Sequence, residues 1–266
     1  MQRRRLGSTG PLLPCVGLGT WRRFDLPPQK VHLARQVVVR ALENGVRVFD
    51  TAPVYGRSEE VLGRALGGDR SRAFVATKIW SEEREGGRRQ FERQLRLFDG
   101  HVELLQLHHL IGWRAHAQWL QQERERGRIG LIGATFWRDG AFGGGTAADL
   151  EAAMRSGILD VIQIPLNPLE RAMEERILPL AQELGLGVLV MRPYAEGDLL
   201  TGRGRQGAAH GKPSAESLLR WGLSDQRVHV TLPATLDPTH LMANITAGAA
   251  PPMSNAERSA IAAHYD

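Results

Sequence analysis

Short apolar runs alternate along the chain with longer segments whose apolar residues recur at three- and four-residue spacing. Eight runs predict strands: Val16–Gly19, Val46–Phe49, Ala73–Ala76, Val102–Leu107, Gly130–Ala134, Val161–Ile164, Val188–Met191 and Val228–Leu232. Each is short, rich in β-branched residues and bounded by glycine or polar positions. Between them, Ala34, Val37, Val38, Ala41 and Leu42 fall on one helical face, and Asn44-Gly45 supplies a stop. The same spacing predicts helices over Ser58–Leu66, Arg88–Leu97, Arg114–Arg126, Ala147–Arg155, Glu174–Leu184, Ala215–Leu223 and Pro238–Ala247. Ser254-Asn255-Ala256-Glu257 reads as the capping box of a last helix.

Eight strand–helix units in 266 residues predict an α/β fold of the closed (β/α)8, or TIM-barrel, kind. The competing architecture is an open doubly wound sheet. It expects a G-x-G-x-x-G after an early strand, whereas Gly17-Leu18-Gly19 runs into Thr20-Trp21. The turn residues Ser8-Thr9-Gly10-Pro11 predict an N-terminal β-hairpin plugging the barrel bottom. No linker interrupts the pattern, so residues 1–266 read as a single barrel domain. Two glycine-rich stretches, Arg138–Gly145 and Gly202–Lys212, follow strands, where the active-site loops of a barrel belong.

Composition narrows the classes. With 42 % hydrophobic and 24 % charged residues, a chain of this length buries a core without disulfide or metal staples. The one cysteine, Cys15, cannot make an internal disulfide. No apolar run approaches the roughly 18 residues of a membrane span. The segment after Met1–Arg5 is too polar and turn-prone for a signal peptide. These features predict a cytoplasmic protein with no membrane partner. The net charge of +5 is dispersed, as in Glu82-Glu83-Arg84-Glu85 and Glu123-Arg124-Glu125-Arg126. That is the pattern of solvated helix faces and not of a nucleic-acid surface. Nothing in the pattern sets the oligomeric state.

Barrel chemistry sits at the C-terminal ends of strands. Those positions hold Asp50, with Tyr55 in the loop beyond it, then Lys78, His108-His109, Gln163 with Asn167, and Arg192. A phenol is a poor acid–base group at neutral pH, its pKa being about 10. A nearby ammonium lowers that pKa, and a carboxylate beside the ammonium keeps it charged. A histidine can donate to a carbonyl oxygen. Together such groups can protonate a carbonyl oxygen while its carbon receives a hydride. Each also has a plain reading: Asp50 as a turn cap, Tyr55 as a loop aromatic, His108 as a core histidine. Lys78 is harder to set aside, because only three of the 34 basic residues are lysines and arginine cannot be tuned in this way. A metal site is not expected. His-x-His and His-Glu-x-x-His spacings are missing, and strand alternation lets His108 and His109 both enter the barrel only with a bulge.

These residues resemble the aldo-keto reductase family, most of all its compact bacterial members. Val16-Gly17-Leu18-Gly19-Thr20-Trp21 is similar to the family's opening strand, and Val48-Phe49-Asp50-Thr51-Ala52 with Tyr55-Gly56-Arg57-Ser58-Glu59 to its most specific signature. Ala76-Thr77-Lys78, Leu105–His108, Gly127–Gly130, Gln163–Asn167 and Leu232–Thr235 through Asn244 follow in the family's order. The resemblance implies NAD(P)H-dependent reduction of a small aldehyde or ketone. Tyr55 would be the general acid, Lys78 would lower its pKa, Asp50 would pair with Lys78, and His108 would orient the carbonyl. The coenzyme would be lined by Gly19, Thr20, Trp21, Asp50, Thr135, Gln163, Arg192, Pro193, Tyr194, Gly197, Leu199, Pro233, Ala234, Thr235, His240 and Asn244. The substrate pocket would be formed by Trp21, Tyr55, Trp80, His108, His109, Leu110 and Trp113, with Trp137 nearby, and would suit an apolar or aromatic carbonyl compound.

Several positions depart from the family pattern. His109 and Phe136 stand where asparagine is common. Glu196 and Asp198 bring negative charge toward the expected pyrophosphate. No lysine or arginine lies between Arg227 and Arg258, where the family often grips the 2′-phosphate of NADP. NADP(H) is therefore favoured on family grounds, with NAD(H) or dual use open. Two other readings compete: a coenzyme-binding sensor or regulatory protein with little turnover, and a phosphate-binding barrel isomerase or lyase, which would need no Tyr/Lys pair.

Overall fold

The computed structural model describes residues 1–201 and 213–265; the expected loop Gly202–Lys212 lies outside them. The N-terminal hairpin pairs β1 (Arg3–Arg5) antiparallel with β2 (Leu12–Pro14). One parallel sheet then runs in chain order through β3 (Leu18–Gly19), β4 (Val48–Asp50), β5 (Phe74–Ile79), β6 (Val102–Leu107), β7 (Ile129–Thr135), β8 (Val161–Pro165), β9 (Gly187–Met191) and β10 (Val230–Thr231). The helices are α1 (Val31–Glu43), α2 (Ser58–Leu66), α3 (Arg84–Leu97), α4 (Trp113–Glu125), α5 (Ala147–Arg155), α6 (Ile177–Glu183), α7 (Asp198–Thr201), α8 (Ala215–Leu223), α9 (Pro238–Ala249) and α10 (Asn255–Ala263). Among the described residues, no helix is long and apolar enough to cross a membrane.

The sheet closes on itself. Val16 bridges Thr231 and Gly19 bridges Ala234, both parallel. The Gly17 N–H donates to the Thr231 carbonyl at 2.9 Å, and the Thr231 N–H to the Cys15 carbonyl at 2.8 Å. This seam is irregular, which is why β3 and β10 are shorter than the predicted runs. Gly17 permits it: a Cβ there would lie 2.8 Å from Leu232 Cδ2 and 2.9 Å from the Val48 carbonyl oxygen. The predicted helix from Glu174 starts only at Ile177, whereas α3 begins four residues early, at Arg84.

Two apolar layers follow from strand alternation. Residues on the outer faces, such as Phe49, Val75, Leu105 and Ile162, pack against the helices. Residues on the inner faces, including Val48, Leu104, Val161, Leu189 and Val230, fill the barrel together with Leu6 and Leu13 from the hairpin. The hairpin thus closes the bottom, leaving the strand ends at the top open for chemistry. Leu6 fits there because Gly187 has no side chain: a Cβ would lie 2.6 Å from Leu6 Cδ1. The Ser8 N–H secures the turn on the Gly185 carbonyl at 2.9 Å. Leu6→Ala empties that plug and should cost about 2–5 kcal/mol. A thermal melt with an unchanged Tm would count against the hairpin as part of the core.

Candidate active site

Strand β4 ends at Asp50, and its neighbour β5 presents Lys78 toward the same interior. The Lys78 ammonium donates to both Asp50 carboxylate oxygens, each at 2.8 Å, and to the Thr51 carbonyl at 2.8 Å. Both side chains are buried. Gln106, which sits opposite Lys78 in the β5–β6 register, donates to Asp50 Oδ1 at 3.4 Å. Behind the pair lies a second buried carboxylate, Glu59. It accepts from Thr77 Oγ1 at 2.6 Å and from Gln94 Nε2 at 2.9 Å. The same Gln94 amide donates to the Lys78 carbonyl at 2.8 Å. Two of these residues, Gln94 and Gln106, escaped the sequence analysis. A glutamine in the inward register of an apolar strand, as in Val102-Glu103-Leu104-Leu105-Gln106-Leu107, is the signal that would have found the second.

Tyr55 follows Asp50 in the loop that its strand feeds. Lys78 Nζ lies 5.1 Å from the Tyr55 ring centroid. The ring stands edge-on to His108, with centroids 6.0 Å apart, and tilts against Trp21 at 6.4 Å. The four expected catalytic residues therefore meet at one place.

Their electrostatics correct one expectation. Burial raises the Tyr55 phenol well above the usual tyrosine range, and the Asp50 charge adds to the rise. The Lys78 ammonium, paired with Asp50, does not offset that rise. Burial also lowers the Lys78 ammonium, opposed by Asp50 and Glu59. His108 is held well below the usual imidazole range by burial, with the Lys78 and His109 charges helping. Burial takes His109 down to about 4, again helped by Lys78. At neutral pH the site thus has a protonated phenol, two neutral imidazoles and one buried ion pair.

His108 and His109 both reach the site, through a break in the strand. They do not point to opposite faces, because the chain has left β6 by His108 and turns through a 3-10 segment. His109 takes a left-handed φ of 52°, and the two rings stack with centroids 4.5 Å apart. Trp80 stands edge-on to both, at 5.0 Å from His108 and 6.1 Å from His109. Among the described residues, no group of three or more His, Cys, Asp or Glu side chains is placed to hold a metal ion.

The residues expected around a coenzyme border this centre along the strand ends. Gly19 ends β3, and the Thr20 N–H donates to the Asp50 carbonyl at 2.9 Å. Thr135 Oγ1 accepts the His109 N–H at 2.8 Å. Gln163 lies in β8, and buried Phe136 donates its N–H to the Gln163 carbonyl at 3.0 Å. Pro193 leads into Tyr194, whose hydroxyl donates to Asn244 Oδ1 at 2.7 Å, tying the β9 loop to α9. Gly197 follows with φ 104°. Leu199 packs in an apolar cluster with Ala195 and Leu218, so only its backbone is offered. Pro233, Ala234 and Thr235 follow β10, and Thr235 Oγ1 accepts the Asp237 N–H at 2.9 Å. Asp237 caps α9 by accepting the Thr239 N–H, and exposed His240 lies 3.9 Å from its carboxylate.

Arg192 is turned to Trp137 and Glu170. Its guanidinium sits 4.5 Å from the Trp137 ring centroid and donates to both Glu170 oxygens at 3.0 Å. Glu196 is held by Arg192 and by Arg22, the latter at 3.3 Å, so its charge is matched. Asp198 opens α7. Trp113 lies outside the central group of rings, packed on the main core with Arg114 across its face.

Residues available to hold a nicotinamide coenzyme pass a simple test. Gln163 Oε1 and Thr20 Oγ1 are buried without a hydrogen-bond partner, a condition that costs roughly 1–3 kcal/mol per group. Both belong to the expected lining, and a polar ligand group at these strand ends would satisfy them.

Comparison with known proteins gives the family and the fold. The model of the aldo/keto reductase family matches residues 15–217. An aldo-keto reductase from Mycobacterium sp. is 31 % identical over 256 residues, covering 89 % of this chain and 84 % of the relative. An Escherichia coli protein described as an NADH-specific methylglyoxal reductase is 30 % identical, covering 76 % of this chain and 70 % of its own. In structure, an aldo/keto reductase from Klebsiella pneumoniae, solved with NADP and acetate, superposes with a TM-score of 0.84 at 22 % identity, covering 100 % of this chain and 96 % of that one. The structural likeness is one of fold, and the chain belongs to the aldo/keto reductase family of NAD(P)-dependent oxidoreductases.

Proposed function

We propose that the chain, as a single barrel domain, reduces small aldehydes or ketones to alcohols, with Tyr55 as the general acid. The observation that carries this reading is the buried Asp50–Lys78 pair beneath a protonated Tyr55 and beside a neutral His108. The nicotinamide coenzyme supplies the hydride when bound. The Gln163 amide oxygen and the Thr20 hydroxyl would receive its polar groups, with Trp21 and Arg192 at the same mouth. His108, as a neutral imidazole, donates its N–H to the carbonyl oxygen and fixes its position. Tyr55 gives its proton to that oxygen as negative charge develops there. The phenolate left behind is stabilised by the Lys78 ammonium, which Asp50 keeps charged and fixed in place. A cytoplasmic setting belongs to the proposal and rests on the single, unpaired cysteine.

NADP(H) is the coenzyme of the proposal, by similarity to the Klebsiella neighbour solved with NADP. The start of α9 argues for a narrow preference. It offers no lysine or arginine between Arg227 and Arg258, and its cap is a carboxylate, Asp237. Titrating NADPH and NADH against tryptophan fluorescence should therefore give Kd values within about tenfold of each other, NADPH being the tighter, a gap of about 1.4 kcal/mol. Turnover of a carbonyl panel with the bound coenzyme completes the test. Binding of neither coenzyme would remove the reductase reading.

A further inference from the structure

The rings beside His108 continue outward as a stack that the reaction does not require. His109 lies on His108, and Phe142 lies on His109 with centroids 5.1 Å apart and planes 30° from parallel. Trp137 lies on Phe142 at 5.9 Å and 29°, and the Arg192 guanidinium closes the row on Trp137. Trp80 forms the floor, edge-on to His108 at 5.0 Å and to Phe142 at 5.8 Å.

Phe142 is the odd member. It is 60 % exposed, and its φ of 55° is a left-handed conformation that costs a bulky residue about 1–3 kcal/mol. The loop that holds it is pinned to the histidines. The Gly145 N–H donates to the His109 carbonyl at 2.9 Å, and a Cβ on Gly144 would lie 2.3 Å from that same oxygen. Gly144 thus lets the backbone press against His109 while Phe142 is presented beside it. A strained backbone that holds a large apolar ring in water, within a built stack, gains nothing for folding. Val54 and Leu169, in the segments after β4 and β8, are also exposed. Next to Phe142 the wall carries no charge on His109, and the cations Arg138 and Arg192 sit farther out, on Trp137.

We propose that Phe142 is the specificity-determining residue of this site and that it selects aryl carbonyl compounds extended beyond one ring. The inference rests on the carbonyl-reductase reading. With its carbonyl at His108 and Tyr55, a single-ring aldehyde spans Trp80 and stops short of Phe142. A two-ring aldehyde reaches the exposed side of Phe142 and adds a ring contact there.

The test is binding, so it does not depend on turnover. 2-Naphthaldehyde and benzaldehyde are titrated by calorimetry against the full chain, with and without saturating NADP+. Phe142→Ala should weaken 2-naphthaldehyde roughly three- to tenfold and change benzaldehyde and NADP+ less than twofold. Phe142→Trp should restore the naphthaldehyde affinity. Phe142→Leu, which keeps the apolar bulk that seats the loop but loses the ring face, should behave like the alanine variant for this ligand. Equal loss for both aldehydes, or no loss for either, would overturn the proposal. So would a wild-type chain that binds NADP+ but prefers benzaldehyde. Failure to bind NADP+ would instead strike the reductase reading, and the titration without coenzyme would still decide the role of Phe142.

Discussion

Tyr55→Phe should lower kcat for carbonyl reduction by roughly 10²–10⁴-fold while leaving the Kd for coenzyme unchanged. The change removes one oxygen and keeps the ring that packs against His108 and Trp21, so the barrel mouth keeps its shape. What it removes is the proton held in place by burial. The wild-type pH profile follows from the same fact. The Tyr55 pKa is raised above its ordinary value, so the donating form persists through neutral pH. Reduction should stay level from about pH 6 to about pH 9, below the ordinary tyrosine pKa of about 10. Oxidation of the alcohol needs the phenolate as base and should rise about tenfold per pH unit over the same window. The imidazoles add no break near their ordinary value, because both are held below it. A Tyr55→Phe variant with wild-type turnover would dismiss Tyr55 as the acid. A reduction rate that falls between pH 6 and 7 would show that a charged histidine is needed after all.

That Asp50, Tyr55, Lys78 and His108 would meet was legible in the sequence because barrel geometry converts strand ends into neighbours. Asp50, Lys78 and His108 each close an apolar run, and a closed parallel barrel brings those ends to one rim. Tyr55 was legible from its place in the loop after Asp50. The direction of its pKa shift was not, since it depends on the 2.8 Å contacts that pair Lys78 with Asp50 and on burial, neither of which spacing reveals. The stacking of His108 on His109 was missed for a related reason. Strand alternation holds only to Leu107, where β6 ends, and His109 with its left-handed φ lies two residues beyond. Phe142 lies in a glycine-rich loop with no periodicity at all, so its contacts with Trp80, His109 and Trp137 exist only in three dimensions. The hairpin, by contrast, was readable from Ser8-Thr9-Gly10-Pro11, because turn chemistry is local.

Asp50→Ala should be the most destabilising single change at the site, by about 3–5 kcal/mol, because it leaves Lys78 buried without its counter-charge. The remaining acceptor at hydrogen-bond distance is the Thr51 carbonyl, which cannot replace a carboxylate. Burial already lowers the Lys78 pKa, so in this variant the lysine sheds its proton more readily. The unfolded chain then binds more protons than the folded one, and the stability of the variant rises with pH. Its Tm should accordingly recover part of the loss on moving from acid to alkaline buffer. The double change Asp50→Leu with Lys78→Met removes both charges, and an apolar pair in place of a buried ion pair is commonly neutral or stabilising by about 1–4 kcal/mol. We therefore expect the double variant to regain most of the Tm and none of the turnover. That separation would place the ion pair in the chemistry of the site and not in the stability of the barrel. A double variant as unstable as Asp50→Ala would reverse that conclusion, making the pair a structural element of the barrel top on which Tyr55 merely rests.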